Sequence, residues 1–259
     1  METWIRVKTK EQLEAVQNAK VPFGHLLLPA ALLPEEGSLP LFAEAKIYLQ
    51  LPDVLRQNKK EQIRSMLKKA SFDGIVVKNL DELGLVLEWQ KERKGQRPPV
   101  VIADAFLYAY NREAIRFYRD RIPDMRFMCS EELTDKEEKE LRADASAFLY
   151  KIYGYQTVMV TAQCFRKNRA GCARAGQEGS QRMCLRDESG NILYAECDCS
   201  LCQTIIYNGV PTSMLDKDVS GYENIFYDFT IEDAATVKKI LQVRQCERYT
   251  RGHHFLPVE

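Results

Sequence analysis

Along the first 155 residues, short apolar runs alternate with longer segments whose apolar positions recur at helical spacing. The runs are WIRV from Trp4, HLLL from His25, IYLQL from Ile47, GIVV from Gly74, VVIA from Val100, RFMC from Arg126 and FLYKIY from Phe148. Most are rich in β-branched or aromatic residues and carry little polar alternation, which predicts strands buried on both faces. Between them, TKEQLEAVQNA places Gln12 three positions after Thr9, and TDKEEKELRA places Glu137 three after Thr134. Both are capping-box spacings and mark helix starts. DVLRQNKKEQIRSMLKKA and LDELGLVLEWQKERK read as further amphipathic helices with polar outer faces. Strand and helix alternating at this pitch predict a parallel sheet. Seven strands, with TVMV from Thr157 as a candidate eighth, favour a closed or nearly closed TIM-like (β/α) barrel within residues 1–155.

Past residue 160 the pattern breaks. CLRDESGNILYAEC reads as a hairpin around Asp187–Asn191, IFYDF as a strand, and IEDAATVKKILQVRQCERY as a helix capped by Thr230. Residues 156–259 therefore read as a small cysteine-rich α+β appendage that follows the barrel. No solenoid repeat or low-complexity tract is present.

Composition changes little in this picture. The chain has 259 residues, 45% hydrophobic and 29% charged, with 37 basic against 37 acidic side chains. Zero net charge leaves no global field toward nucleic acid or an acidic membrane, so any such attraction is local. The sequence has neither a long apolar span nor a signal-peptide core at METWIRVKTKEQ, so the expectation is a cytoplasmic protein that does not enter a membrane. In a reducing compartment, clustered thiols point to metal or redox chemistry rather than bridges.

Six of the eight cysteines, Cys164, Cys172, Cys184, Cys197, Cys199 and Cys202, fall in that second region. Cys129, Cys184 and Cys246 read as small, partly buried hydrophobes. The other five have the crowding expected of ligands to a soft metal. A single C-x2-C is thin for a zinc ribbon and fits an iron–sulfur cluster at least as well, with zinc or a redox pair as alternatives. The segment CFRKNRAGCARAGQEGSQR carries Arg166, Lys167, Arg169, Arg174 and Arg182 against Glu178 alone. It reads as a solvated basic loop or, in the functional alternative, as a contact for RNA phosphates or an anionic substrate. Barrel enzymes present functional side chains at the C-terminal ends of their strands. Those ends carry Lys78 with Asn79, Asp104, Ser130 with Glu131 and Glu132, and Tyr153 with Gly154. Asp104, directly after VVIA, belongs at the mouth, either as a functional carboxylate or as a cap. No H-E-x-x-H, G-x-S-x-G, P-loop or G-x-G-x-x-G motif occurs.

These residues resemble the collagenase-like peptidase family (peptidase family U32). The similarity runs from YGYQTVMVTAQC through Cys172 and LRDESGN to CSLCQTIIYNGVPTSML, DFTIEDAATVKKIL and YTRGHHF. It extends in the barrel half to LPDVLR, FDGIVVKNLDELG, DAFLYAYN and SEEL. The chain is similar to the C-terminal half of longer bacterial members, in which another barrel-containing region precedes it as a partner. The resemblance implies a barrel-type catalytic region and one of two activities. One is peptide hydrolysis, as the family label says; the other is the hydroxylation of RNA or a quinone precursor, in which some relatives act. Those relatives hold a 4Fe-4S cluster on cysteines matching Cys164, Cys172, Cys199 and Cys202, with Cys197 close enough to replace Cys199. Asp104, Asn111, Glu132 and Tyr153 are the expected substrate-orienting or proton-moving residues. Where the family often reads D-x-S-L-N-x-x-N, this chain keeps Asp104 and Asn111 but has Tyr108 at the middle asparagine. A non-catalytic, metal-stapled domain that binds RNA or protein is the remaining reading.

Overall fold

The short apolar runs form the staves of a closed barrel. The computed structural model describes residues 1–33, 44–69, 71–93, 98–141, 148–172, 180–199 and 202–255. Seven strands arise in order: β1 (Glu2–Arg6), β2 (His25–Pro29), β3 (Lys46–Gln50), β4 (Gly74–Val77), β5 (Val100–Ala103), β6 (Arg126–Met128) and β7 (Phe148–Gly154). Each pairs in parallel with the next. Closure comes from far down the chain. The strand Asn224–Asp228 lies parallel between β1 and β7, with Arg6 opposite Asp228 and Asp228 opposite Gly154. Thr157–Thr161, the candidate eighth strand, is not a stave.

One apolar residue from each stave fills the interior: Trp4, Leu27, Tyr48, Val76, Ile102, Met128, Leu149 and Phe226. Full burial of such side chains stabilises the fold by roughly 1.5–3 kcal/mol each. Tyr48 fits because its neighbour on β4 is Gly74. A Cβ there would stand 2.4 Å from the Tyr48 ring and 2.6 Å from the Val100 carbonyl oxygen. At the N-terminal end of the staves, His25 stacks on Trp4 at 3.6 Å, with its ring nitrogens 3.0 Å from Tyr48 Oη and 2.9 Å from Glu2 Oε2. That aromatic plug closes one end, and the polar mouth lies at the other.

Helices wrap the barrel: α1 (Lys10–Ala19), α2 (Lys60–Lys69), α3 (Leu80–Glu92), α4 (Arg112–Arg119) and α5 (Asp135–Leu141). Thr9 and Gln12 form the expected capping box of α1. The same spacing gives Thr134 Oγ1 accepting from Glu137 N at 3.2 Å.

Between β7 and the closing strand the chain builds a second sheet. Strands β8 (Thr157–Thr161), β9 (Ser180–Arg186), β10 (Ile192–Asp198) and β11 (Gln203–Tyr207) pair antiparallel in the order β8-β11-β10-β9. A short helix, α6 (Phe165–Ala170), follows β8. The β9–β10 hairpin turns at Asp187–Asn191 as expected, with Asn191 N donating to Asp187 Oδ1 at 2.7 Å. The small strand β12 (Thr212–Ser213) then adds antiparallel to β7. The chain re-enters the barrel as β13 (Asn224–Asp228) and ends in α7 (Ala234–Val243). The cysteine-rich region is thus an insertion between the seventh and eighth staves rather than an appendage after a finished barrel, and a division at residue 155 leaves the eighth stave on the wrong side. Thr230 does not cap α7. Asp233 does, accepting from Thr236 N at 2.7 Å, while Thr230 N donates to Glu232 Oε2 at 2.6 Å. Among the described residues, no helix is long and apolar enough to cross a membrane.

Candidate functional site at the barrel mouth

Above the apolar layer, the next inward positions carry charge. Arg6, at the end of β1, bridges two carboxylates: Nη2 lies 2.5 Å from Asp104 Oδ2 and Nη1 lies 3.1 Å from Asp228 Oδ2. Asp104 is 4% exposed and Asp228 7%. Burial works against the Arg6 charge, but Asp228 and Asp104 outweigh it and hold the guanidinium firmly protonated. Around this centre, Lys78 Nζ stands 2.7 Å from Asp53 Oδ1, and Lys151 pairs with Glu131. Burial alone would raise Asp53; Lys78, Lys8 and Arg6 bring it down to about 2.

A cleft of about 650 Å³, counted to its open mouth, rises from Arg6, Asp104 and Asp228. Its walls include Phe106, Tyr108, Tyr110 and Tyr155, with Glu132 at the rim. Asp104 accepts from Phe106 N at 3.4 Å and so caps a 3-10 turn while facing the cleft. The expected cap is formed, and the same side chain lines the cleft. The turn leaves Tyr108 in the left-handed region at φ +54°.

Of the four expected mouth residues, Asp104 and Glu132 line the cleft and two do not. Asn111 is the N-cap of α4, its Oδ1 accepting from Ala114 N at 2.9 Å. Tyr153 is turned outward into the core between barrel and helices, against Phe229 and near the Glu232 carboxyl, and burial pushes its hydroxyl up. A bulge is the cause. The β7–β13 register shifts so that Lys151 faces Phe226 and Tyr153 faces Tyr227, which leaves Ile152 unpaired and puts Tyr153 on the outer face. Lys151 takes the inward place instead. Arg6, Lys151 and Asp228, which the strand-end reading passed over, sit inside strands rather than after them. Their signal is a lone charge within an apolar stave, at the parity of the inward face.

The inserted sheet stands on this mouth. Lys8, just past β1, reaches Tyr207 Oη and lies 3.5 Å from Glu196 Oε2. Gln203 Nε2 donates to Asp53 Oδ2 at 3.4 Å, and Arg56 Nη2 donates to the Cys202 carbonyl at 2.6 Å. The end of the sheet that makes these last contacts is the cysteine-bearing one. Cys164 follows β8 and starts α6, Cys199 follows β10, and Cys202 precedes β11. Thr204 ties these segments together: its Oγ1 donates to the Gln163 carbonyl at 2.7 Å and stands 3.4 Å from Cys197 Sγ.

None of the eight cysteines is in a disulfide. Cys197 is 1% exposed and turned into the sheet beside Thr204. Cys172 and Cys202 are exposed and Cys164 and Cys199 half-buried. Among the described residues, no three histidine, cysteine or acidic side chains stand close enough to share an ion. The thiols suit a soft metal in kind and in the common end of the sheet they occupy. Cys202 has a backbone φ of +50°, a conformation that disfavours a side chain and that Lys20 and Arg244 share at helix C-caps. Cys129 and Cys246 pack at the edges of the two outer cores, as expected of small hydrophobes. Cys184, on the edge strand β9, is exposed instead.

The basic segment begins not as a loop but as α6, capped by Cys164, whose Sγ accepts from Lys167 N at 3.5 Å. Arg166, Lys167 and Arg169 lie on that helix, and Arg174 falls outside the described residues. No family model matches the chain, and no curated protein matches it significantly.

Proposed function

We propose that this chain is an iron–sulfur enzyme domain that works at the barrel mouth, in hydroxylation of RNA or of a quinone precursor. One observation carries the reading: the cysteine-bearing end of the inserted sheet is fastened to the mouth itself, through Gln203 to Asp53 and Arg56 to the Cys202 carbonyl. Cys164, Cys172, Cys199 and Cys202 would hold the cluster, which would supply electrons to a substrate positioned in the cleft. Asp104 and Glu132 face that substrate. Arg6 orients Asp104 through Oδ2, so that Oδ1, which also takes the Phe106 N–H, can accept a hydrogen bond from the bound group. Thr157 of the inserted sheet, with Tyr155 and Gln156 before it, forms one part of the cleft lining. The basic segment that begins with α6 would meet the phosphates of an RNA substrate. Free thiols of this kind persist in a reducing cytoplasm.

Anaerobic purification followed by iron and sulfide analysis tests the reading. The expected result is about four iron and four sulfide per chain with absorption near ~400 nm, lost on Cys164→Ser or Cys202→Ser. One zinc per chain with no sulfide would overturn it.

A further inference from the structure

The mouth cleft has an excess of acceptors. Its lining contains the cations Arg6 and Lys151 and the carboxylates Asp104, Glu131, Glu132 and Asp228. Both cations are already engaged, Arg6 by Asp104 and Asp228, Lys151 by Glu131. Asp228 is more than nine-tenths buried, yet its Oδ1 has no hydrogen-bond partner among the described residues. Glu132 is exposed at the rim, where the Tyr110 hydroxyl meets it. A phosphate or carboxylate entering this cleft would find no unengaged cation and would face like charge. A nitrogen donor would find two carboxylates with capacity to spare.

The second observation is Tyr108. It is 62% exposed, lies in the left-handed region and meets Tyr110 edge-on at 5.4 Å between centroids. That backbone conformation costs a non-glycine residue about 1–2 kcal/mol, and an asparagine tolerates it better. Exposed as it is, the ring recovers little of that cost by burial. Its exposed ring lines the cleft, as do Tyr110 and Tyr155.

We infer that the cleft binds a planar organic ligand bearing a cationic nitrogen group, an amidinium, guanidinium or ammonium, with the nitrogen directed to Asp228 and Glu132 and the flat face against Tyr108. The inference rests on the mouth being the binding site proposed above, but not on the cysteines holding a cluster. Electrostatic attraction and contact of the cation with the tyrosine faces act in the same direction here.

Titration of the purified chain with benzamidine and, separately, with its anionic near-isostere benzoate tests it, followed by calorimetry or by NMR shifts of the tyrosines. Benzamidine is expected to bind at least about tenfold more tightly than benzoate. Glu132→Gln should weaken benzamidine by about threefold. Tyr108→Asn should weaken it by about fivefold while raising the melting temperature, because the strained backbone is relieved. A side chain kept only for packing would give the opposite pair, a lower melting temperature and unchanged affinity. That result, benzoate binding as tightly as benzamidine, or no benzamidine binding would each overturn the inference. Iron and sulfide content of the same preparation separates the two proposals. A cluster-free chain that prefers benzamidine sinks only the iron–sulfur reading, and a cluster-bearing chain that prefers benzoate sinks only this one.

Discussion

Arg6 is the residue on which the mouth depends. It is buried, touches the carboxylate that follows β5 and the one that ends β13, and so joins segments almost a hundred and more than two hundred positions away in sequence. Arg6→Met should therefore destabilise the fold by about 3–5 kcal/mol, since two carboxylates would be left buried without a counter-charge. Urea unfolding measures this, and Arg6→Met combined with Asp104→Asn and Asp228→Asn should recover part of the loss. Gly74→Ala tests the apolar layer beneath. Its Cβ would overlap the Tyr48 ring and the Val100 carbonyl, at an expected cost of about 1–3 kcal/mol in the same assay. Single residues differ in how legible they are. Asp104 can be read because it directly follows a clear apolar run. Tyr153 cannot, because a bulge changes the parity of β7 and only the β13 partner strand reveals it. Cys197 is a similar case: strand pairing with Thr204 withdraws it from the thiols on either side of the β10–β11 turn.

Elements show how caps and insertions carry the chemistry. Asn79 caps α3, and Glu82 reaches back to accept from Lys78 N at 2.7 Å, which holds Lys78 at the mouth. Burial raises the Glu82 carboxyl to about 8, against the pull of the Lys78 backbone N–H and charge. The folded protein therefore binds a proton that the unfolded chain, near 4.5, gives up. The stability held in that proton is complete below about pH 4.5 and falls as pH rises toward 8. Burial also raises Glu232, to about 7, in the same direction. Glu82→Gln keeps the reach-back acceptor without the ionisation. It should leave stability at pH 5 nearly unchanged and increase it at pH 9 by on the order of 1–3 kcal/mol, seen as a shift of the urea midpoint. In the inserted sheet, Thr204→Val removes the hydroxyl bridging Gln163 and Cys197. The expected cost is about 1–2 kcal/mol, with faster amide exchange in α6 than in the barrel. Helix starts were legible where a capping box stood alone, as at Thr9. The start of α7 was not, because Thr230 and Asp233 both suit a cap and only the tertiary partners decide. Glu232 takes the Thr230 N–H, and Gln12 donates to the carbonyls of Thr230 and Glu232.

At the scale of the whole molecule, alternation of strand and helix foretells the barrel class, because local periodicity reports which faces are buried. It does not foretell which strand closes the ring, since closure is a long-range pairing with no local signature. IFYDF reads as a strand in either arrangement, and the intervening hairpin and cysteines disguise it as part of another unit. The structure makes the consequence concrete. Without β13, the open edges of β1 and β7 would each present unpaired backbone, Arg6 would lose Asp228, and α1 would lose its contact with α7, where Gln242 donates to the Ala19 carbonyl at 3.1 Å. Loss of one stave from a closed parallel sheet also uncovers Trp4, Leu149 and their neighbours in the interior layer. A fragment of residues 1–155 should therefore show no cooperative urea transition, bind a hydrophobic dye and associate in solution, whereas the full chain should unfold in one step. If the fragment unfolds cooperatively with the same midpoint as the longer chain, the seven-stranded half is a domain by itself and the inserted sheet, with its cysteines, is an accessory. If it does not, the cysteine-bearing insertion is held between two staves of one folding unit, and any change in that insertion is felt directly by the pair that frames it, β7 and β13, and by the Asp228 that β13 delivers to the mouth.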